Sequence, residues 1–324
     1  MNVRRRLISG TALAAATALG LGALSACSTS DTGDGKNGAN GGKLDVVASF
    51  YPLEFLAKEI GGGHVAVTSL TEPGQEPHDL EISARQTAQL QEADVLLYLK
   101  GLQPAVDDAV QQSGVKNKVD AASLTTLEKH GDEVGGHAEE HDDHGHSAEG
   151  AGTDPHIWLD PVKYGEVAQG VGKSLEKADP DHATEYRKNT NALVKRLDGL
   201  NTQFKDGLKD TTSKVFITTH AAFGYLAERY GLTEEAISGL DPESEPSAAR
   251  VKDLQKMAKA DGVTTVFYET LVSDKTAKTL ANDAKLKTDV LDPLEGITDK
   301  SKGSDYFQVM ESNLAALRTA LGAK

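Results

Sequence analysis

The 324-residue sequence contains one cysteine and one tryptophan, and aromatic residues fill only 5% of its positions. A lone cysteine excludes an internal disulfide, so stability must come from a large apolar core. Basic residues are also scarce, 34 against 49 acidic ones, for a net charge of -15. That balance argues against nucleic acid or anionic lipid as a partner held by bulk charge. There is no His-Glu-x-x-His helix and no Gly-x-Ser-x-Gly elbow, the usual marks of a zinc or serine hydrolase. The one long apolar run, Leu7 to Leu24, is diluted by Gly10, Thr11, Thr17, Gly20 and Gly22, which counts against a retained transmembrane helix.

That run reads instead as an export leader. Arg4, Arg5 and Arg6 precede it, and Leu24-Ser25-Ala26-Cys27 closes it with small residues and the sole cysteine. The arrangement resembles a bacterial lipobox, in which the cysteine is acylated and the preceding peptide removed. Residues 1–26 are therefore expected to be a signal peptide and Cys27 the lipidation site. The mature protein would be anchored by lipid to the outer face of the cell membrane. The Gly, Asn, Ser, Thr and Asp of residues 27–43 form a tether with nothing to bury.

From Leu44 onward short β-rich runs alternate with helical ones, the pattern of parallel βαβ units. It occurs twice, which predicts an α/β fold of two lobes with parallel sheets, residues 44–178 and 211–324. In the second lobe strands are expected at Lys214–Thr218, Ala236–Leu240, Thr264–Tyr268 and Thr288–Leu291. Between the lobes, Tyr186, Leu193, Leu197, Leu200, Phe204 and Leu208 keep one helical face apolar. The segment 179–210 is thus expected to be a rigid linking helix, roughly 45 Å long. Residues 128–153 break the order. They are acidic, nearly devoid of apolar side chains, and carry His130, His137, His141, His144 and His146. Such a stretch is expected to be disordered and to bind metal weakly.

Four short motifs stand at strand ends, where α/β folds bind ligands. They are the Glu72–Glu81 run with His78, Asp154-Pro155-His156, Thr218-Thr219-His220, and Leu291-Asp292-Pro293-Leu294. Singly, each also reads as an ordinary turn. Together they offer three imidazoles and a carboxylate from two lobes, enough for a tetrahedral zinc shell. Glu76 reads either as an alternative carboxylate or as a solvated loop residue. Glu269, in Phe267-Tyr268-Glu269, is a candidate to orient a ligand imidazole.

The lipobox, Ser49-Phe50-Tyr51-Pro52, the Pro-Gly-x-x-Pro-His run ending at His78, Asp154-Pro155-His156-x-Trp158-Leu159, Thr219-His220 with Phe223-Gly224-Tyr225, and Asp292-Pro293-Leu294 closely resemble the zinc/manganese receptor family. These are the substrate-binding lipoproteins of metal-importing ABC transporters. The resemblance implies that the two lobes are Rossmann-like and sit on a rigid helix with metal between them, and ligands at His78, His156, His220 and Asp292. It also implies a membrane permease and a cytoplasmic ATPase as partners, with the receptor a monomer. Imidazole at position 220 favours Zn2+, whereas manganese-type members have a carboxylate there. Two rivals remain at this level: a manganese receptor of the same family, and an adhesin or structural lipoprotein whose metal aids folding. An enzyme would need an open metal position and a general base, and no residue pattern supplies either.

Overall fold

The computed structural model describes residues 42–130 and 153–324, all within one compact unit. The expectations for the leader, for Cys27 and for His137, His141, His144 and His146 lie outside the described residues. No described helix is long and apolar enough to cross a membrane.

The first lobe is built from β1 (Leu44–Ala48), α1 (Tyr51–Gly61), β2 (Val65–Ser69), α2 (Ala84–Glu92), β3 (Val95–Tyr98), α3 (Pro104–Gln112) and β4 (Asn117–Asp120). All its strands are parallel, in the order β2-β1-β3-β4, with Val46 opposite Val67 and Val95. Local signals set the helix ends. Pro52 starts α1 from extended Phe50, and Ser83 and Gln86 form a reciprocal capping box on α2.

Two helices follow, α4 (Pro161–Ala178) and α5 (Ala183–Leu208), joined by a short 3₁₀ turn over Pro180–His182. Asp160 caps α4 by accepting from Val162 N–H at 2.9 Å. The buried stripe of α5 is Tyr186, Thr190, Leu193, Leu197, Leu200, Phe204 and Leu208. Where α4 meets it, a Cβ on Gly172 would lie 2.3 Å from Thr190 Oγ1, so only glycine permits that approach.

The second lobe contains β5 (Val215–Thr218), α6 (Gly224–Tyr230), β6 (Thr233–Ala236), α7 (Ala248–Ala260), β7 (Thr265–Tyr268), α8 (Lys275–Ala284), β8 (Lys287–Val290) and α9 (Tyr306–Ala320). Its strand order, β6-β5-β7-β8, repeats that of the first lobe. One strand is earlier than the sequence suggests, at 233–236 instead of 236–240. Glu234 and Glu235 disguise it as surface, yet both are buried. Glu234 accepts from Thr218 Oγ1 at 2.7 Å, and Glu235 meets Arg250 at 3.0 Å.

The outer face of each sheet has its own apolar cluster, around Leu70, Leu90 and Leu96 in one lobe and Ile217, Leu254 and Val266 in the other. The inner faces do not have separate cores. Phe50, Leu56 and Trp158 join Tyr186, Leu197, Phe204, Phe216, Tyr306 and Met310 in one continuous cluster. Helices α1, α4, α6 and α9 all pack on α5, which makes that helix a common spine for both lobes. Arg229 of α6 adds a charged tie, placing Nε and Nη2 at 2.8 and 2.6 Å from buried Asp160 Oδ2. A shared apolar core of this kind opposes hinge opening between the lobes.

Candidate metal centre

Four side chains from four loops converge between the sheets. His78 lies in the loop between β2 and α2, and His156 just before a 3₁₀ turn over Ile157–Leu159. His220 stands two residues beyond β5, and Glu295 follows β8. Each offers a ligand atom within 4.8 Å of the others. Glu295 Oε1 is 3.2 Å from His78 Nε2, 3.3 Å from His156 Nε2 and 3.4 Å from His220 Nε2. The His156 and His220 Nε2 atoms are themselves 3.4 Å apart. A tetrahedron with metal–nitrogen bonds of about 2.0–2.1 Å has edges of about 3.3–3.4 Å. Four of the six donor–donor distances thus fall near the edge length of a zinc-sized shell, and the two between His78 and the other imidazoles lie within 4.8 Å. Glu295 Oε2, buried and without a hydrogen-bond partner among the described residues, leaves a further lone pair at the same place.

Carboxylates behind two of the imidazoles fix which nitrogen faces inward. Asp154 Oδ1 accepts from His156 Nδ1 at 2.7 Å and from His156 N–H at 2.9 Å. Glu269 Oε1 accepts from His220 Nδ1 at 2.8 Å and from the Thr219 hydroxyl. With Nδ1–H committed outward, Nε2 is the nitrogen that faces the centre, and once it has lost its proton it offers a lone pair in the tautomer a metal requires.

The electrostatics follow from that packing. Burial alone would lower the pKa values of His156 and His220. The charges and hydrogen bonds of Asp154, Glu269 and Glu295 outweigh it and raise both, His220 strongly. Burial would raise Glu295, but its three imidazole neighbours hold it well below the usual carboxylate range. The centre thus demands positive charge, as protons or as a cation.

Asp292 is not one of the converging donors, which corrects the expectation from the sequence. Its Oδ1 accepts from Leu294 N–H at 2.9 Å and its Oδ2 from Thr270 Oγ1 at 3.4 Å, while Asn313 bridges its backbone. Leu294 sits in the left-handed region at φ 59°, a costly conformation for leucine. The Asp292 carboxylate supports that turn, and the turn sends Glu295 inward. The one hint in the sequence was an acid inside the otherwise apolar Leu294-Glu295-Gly296-Ile297. Glu76 is not a solvated loop residue either. One of its oxygens accepts from His78 N–H at 3.0 Å, the other is buried without a partner among the described residues, and burial beside Glu295 pushes its pKa up to about 9.

A cavity of about 780 Å³ lies nearby, lined by Pro73, Thr270, Leu271, Thr298 and Ser301 among others, but none of the four donors lines it. His156, His220 and Glu295 are sealed, and His78, with 11% of its side chain exposed, is the donor nearest solvent.

The family model for ZnuA, the periplasmic component A of a zinc-uptake complex, matches residues 46–320. The chain belongs to that family. Zinc-binding lipoprotein AdcA of Streptococcus pneumoniae is 37% identical over 283 residues, covering 86% of this chain and 56% of AdcA. The chain thus spans little more than half the length of that relative. The high-affinity zinc uptake system protein ZnuA of Bacillus subtilis is 35% identical over 289 residues, 88% of this chain and 89% of that protein. The crystal structure of the Zn(II)-bound ZnuA-like domain of S. pneumoniae AdcA matches with a TM-score of 0.71 at 34% identity, over 86% of this chain and 99% of that one. The ZnuA resemblance first seen in short motifs therefore extends across both lobes and the helix between them.

Proposed function

We propose that the chain is a zinc receptor: it takes Zn2+ from outside the cell into the His78–His156–His220–Glu295 site and hands it to an ABC-type permease driven by a cytoplasmic ATPase. The observation that carries this reading is the convergence of three imidazoles and one carboxylate, with four of their six donor–donor distances near the edge of a zinc-sized tetrahedron. Three imidazoles with one carboxylate suit zinc, whereas an oxygen-richer set would suit manganese. Four protein donors also leave no position for a reacting water, so the site fits carriage and not hydrolysis.

The apolar core that joins the lobes does not need metal, so the empty receptor stays folded between rounds of loading. A structural metal would behave otherwise, and its removal would unfold the chain. Acylation of Cys27 would hold the receptor near its permease.

Competitive titration against a chelator of known affinity tests the reading. One ion of zinc should bind tightly with manganese far behind, and the chelated protein should melt cooperatively. A preference for manganese, or unfolding on chelation, would overturn it.

A further inference from the structure

The two ends of the histidine-rich tract are fastened to each other and to the second lobe. Asp154 N–H donates to the Glu128 carbonyl at 2.9 Å. The Tyr225 hydroxyl of α6 accepts from Glu128 N–H at 2.9 Å and donates to the Asp154 carbonyl at 2.8 Å. At this junction His130 meets the edge of the Tyr225 ring, centroids 4.5 Å apart, with only 10% of its side chain exposed. A Cβ at position 224 would lie 2.5 Å from the His130 ring, so Gly224 leaves the room in which the imidazole sits.

Asp154 serves two imidazoles at once. One oxygen holds His156 Nδ1, and the other takes His130 Nδ1 at 2.8 Å. His156 then turns its Nε2 toward the central site, whereas His130 turns its Nε2 toward Glu228 Oε2, 3.2 Å away. Glu128, His130 and Glu228 each bring a ligand atom within 4.8 Å of the others. Three carboxylates, those of Glu128, Asp154 and Glu228, surround this imidazole. The opposing ammonium is Lys163, 2.7 Å from Glu128 and also held by the Thr126 carbonyl. With neutral histidine these described groups, three carboxylates and one ammonium, carry a net charge of -2, which matches a dication.

We propose that Glu128, His130 and Glu228 form a second divalent-cation site, outside the central one and bridging the first lobe to α6. One nitrogen and two carboxylate oxygens, with water completing the shell, suit Zn2+ or a neighbouring transition dication. Binding there is weaker than at the sealed centre, because Glu228 is 59% exposed and must give up its freedom and hydration. The site stands whether or not the central one is a zinc receptor site, since it shares no ligand with it.

The test is equilibrium dialysis of Zn2+ against the full chain in which His137, His141, His144 and His146 are all changed to Gln. That background removes the remaining histidines of the tract. Two bound ions are expected, one tight and one at least 100-fold weaker. Adding Glu228→Gln, an exposed and conservative change, should remove the weak ion and leave the tight one unchanged. His130→Gln should also remove it, with a melting curve verifying the fold. Adding His220→Ala to the background instead should remove the tight ion and spare the weak one. A single bound ion in the background chain, or two that survive Glu228→Gln, would overturn the proposal.

Discussion

The two lobes share a strand order but deliver their donors differently. In the second lobe His220 follows the central strand β5 by two residues, is sealed from solvent, and is braced by Glu269. The corresponding end of β1 in the first lobe has Phe50, which starts α1 and carries no donor. That lobe supplies His78 from the loop after edge strand β2 instead, part-exposed and with no carboxylate on Nδ1 among the described residues. His156 comes from the segment between β4 and α4, and Glu295 from the one between β8 and α9. One half of the site is therefore rigid and prepared, and one donor is left at the solvent side. In the proposed receptor an arriving ion would meet His78 first and exchange its waters stepwise for the sealed donors.

The largest effects should come from the sealed side. His220→Ala and His156→Ala should each weaken zinc by well over the roughly 100-fold ceiling for groups that only orient ligands. His78→Ala should cost less, since solvent water can enter its position. A chelator-competition series giving His78→Ala the greatest loss would reverse the comparison. Next comes the carboxylate pair. Glu295→Gln should rank with the sealed histidines, whereas Asp292→Asn should stay within about tenfold, acting only through the turn. Equal losses in the two variants would return Asp292 to the donor set. Glu269→Gln should cost roughly 10–100-fold without changing the number of ions bound. An unchanged affinity would show that His220 needs no brace.

The smallest effect is in pH. The raised pKa values of His156 and His220 mean that the metal-free protein keeps protons there above the usual imidazole range of about 6.5. The stability these protons bring is full below that value and is lost as pH rises through the folded-state values. Zinc replaces them. The metal-free Tm should therefore drift down from pH 6 to above neutrality while the rise in Tm caused by zinc grows. Calorimetry showing a zinc-induced rise that shrinks with pH would contradict this sign.

Much of the architecture was readable because its signals are local. Alternating β-rich and helical runs marked the two sheets, and the apolar stripe from Tyr186 to Leu208 marked α5. The three histidines stood out because each sits in a short, distinctive motif, His78 and His220 beyond strands and His156 in Asp154-Pro155-His156. Other features depend on contacts that no local pattern records. Glu234 and Glu235 hid β6, since their burial depends on Thr218 and Arg250 elsewhere in the chain. Gly165, Gly170 and Gly172 masked α4, where Gly172 is required by Thr190 across the helix pair. Asp292 draws the carboxylate assignment because it follows the last strand and its Asp292-Pro293-Leu294 motif resembles the family's, whereas the acid that converges with the imidazoles is Glu295. Only the left-handed backbone at Leu294 reveals which acid the turn delivers. Asp154 behind His156 was likewise visible as a residue but not as a brace.

The single tryptophan has a use beyond packing. Trp158 donates its indole N–H to the Pro293 carbonyl at 2.7 Å, two residues before Glu295, and its ring lies 5.2 Å from that of His156. It is fully buried against Phe50, and its own carbonyl accepts from Tyr306. Its emission therefore comes from one place, the seam between two metal-facing turns, with no second indole to dilute it. An imidazole that releases its proton to solvent and takes up a cation in its place changes the field on that indole, and the fluorescence should change with it. The protein thus carries an optical reporter of its own loading state, fast enough for stopped-flow mixing and needing no added dye.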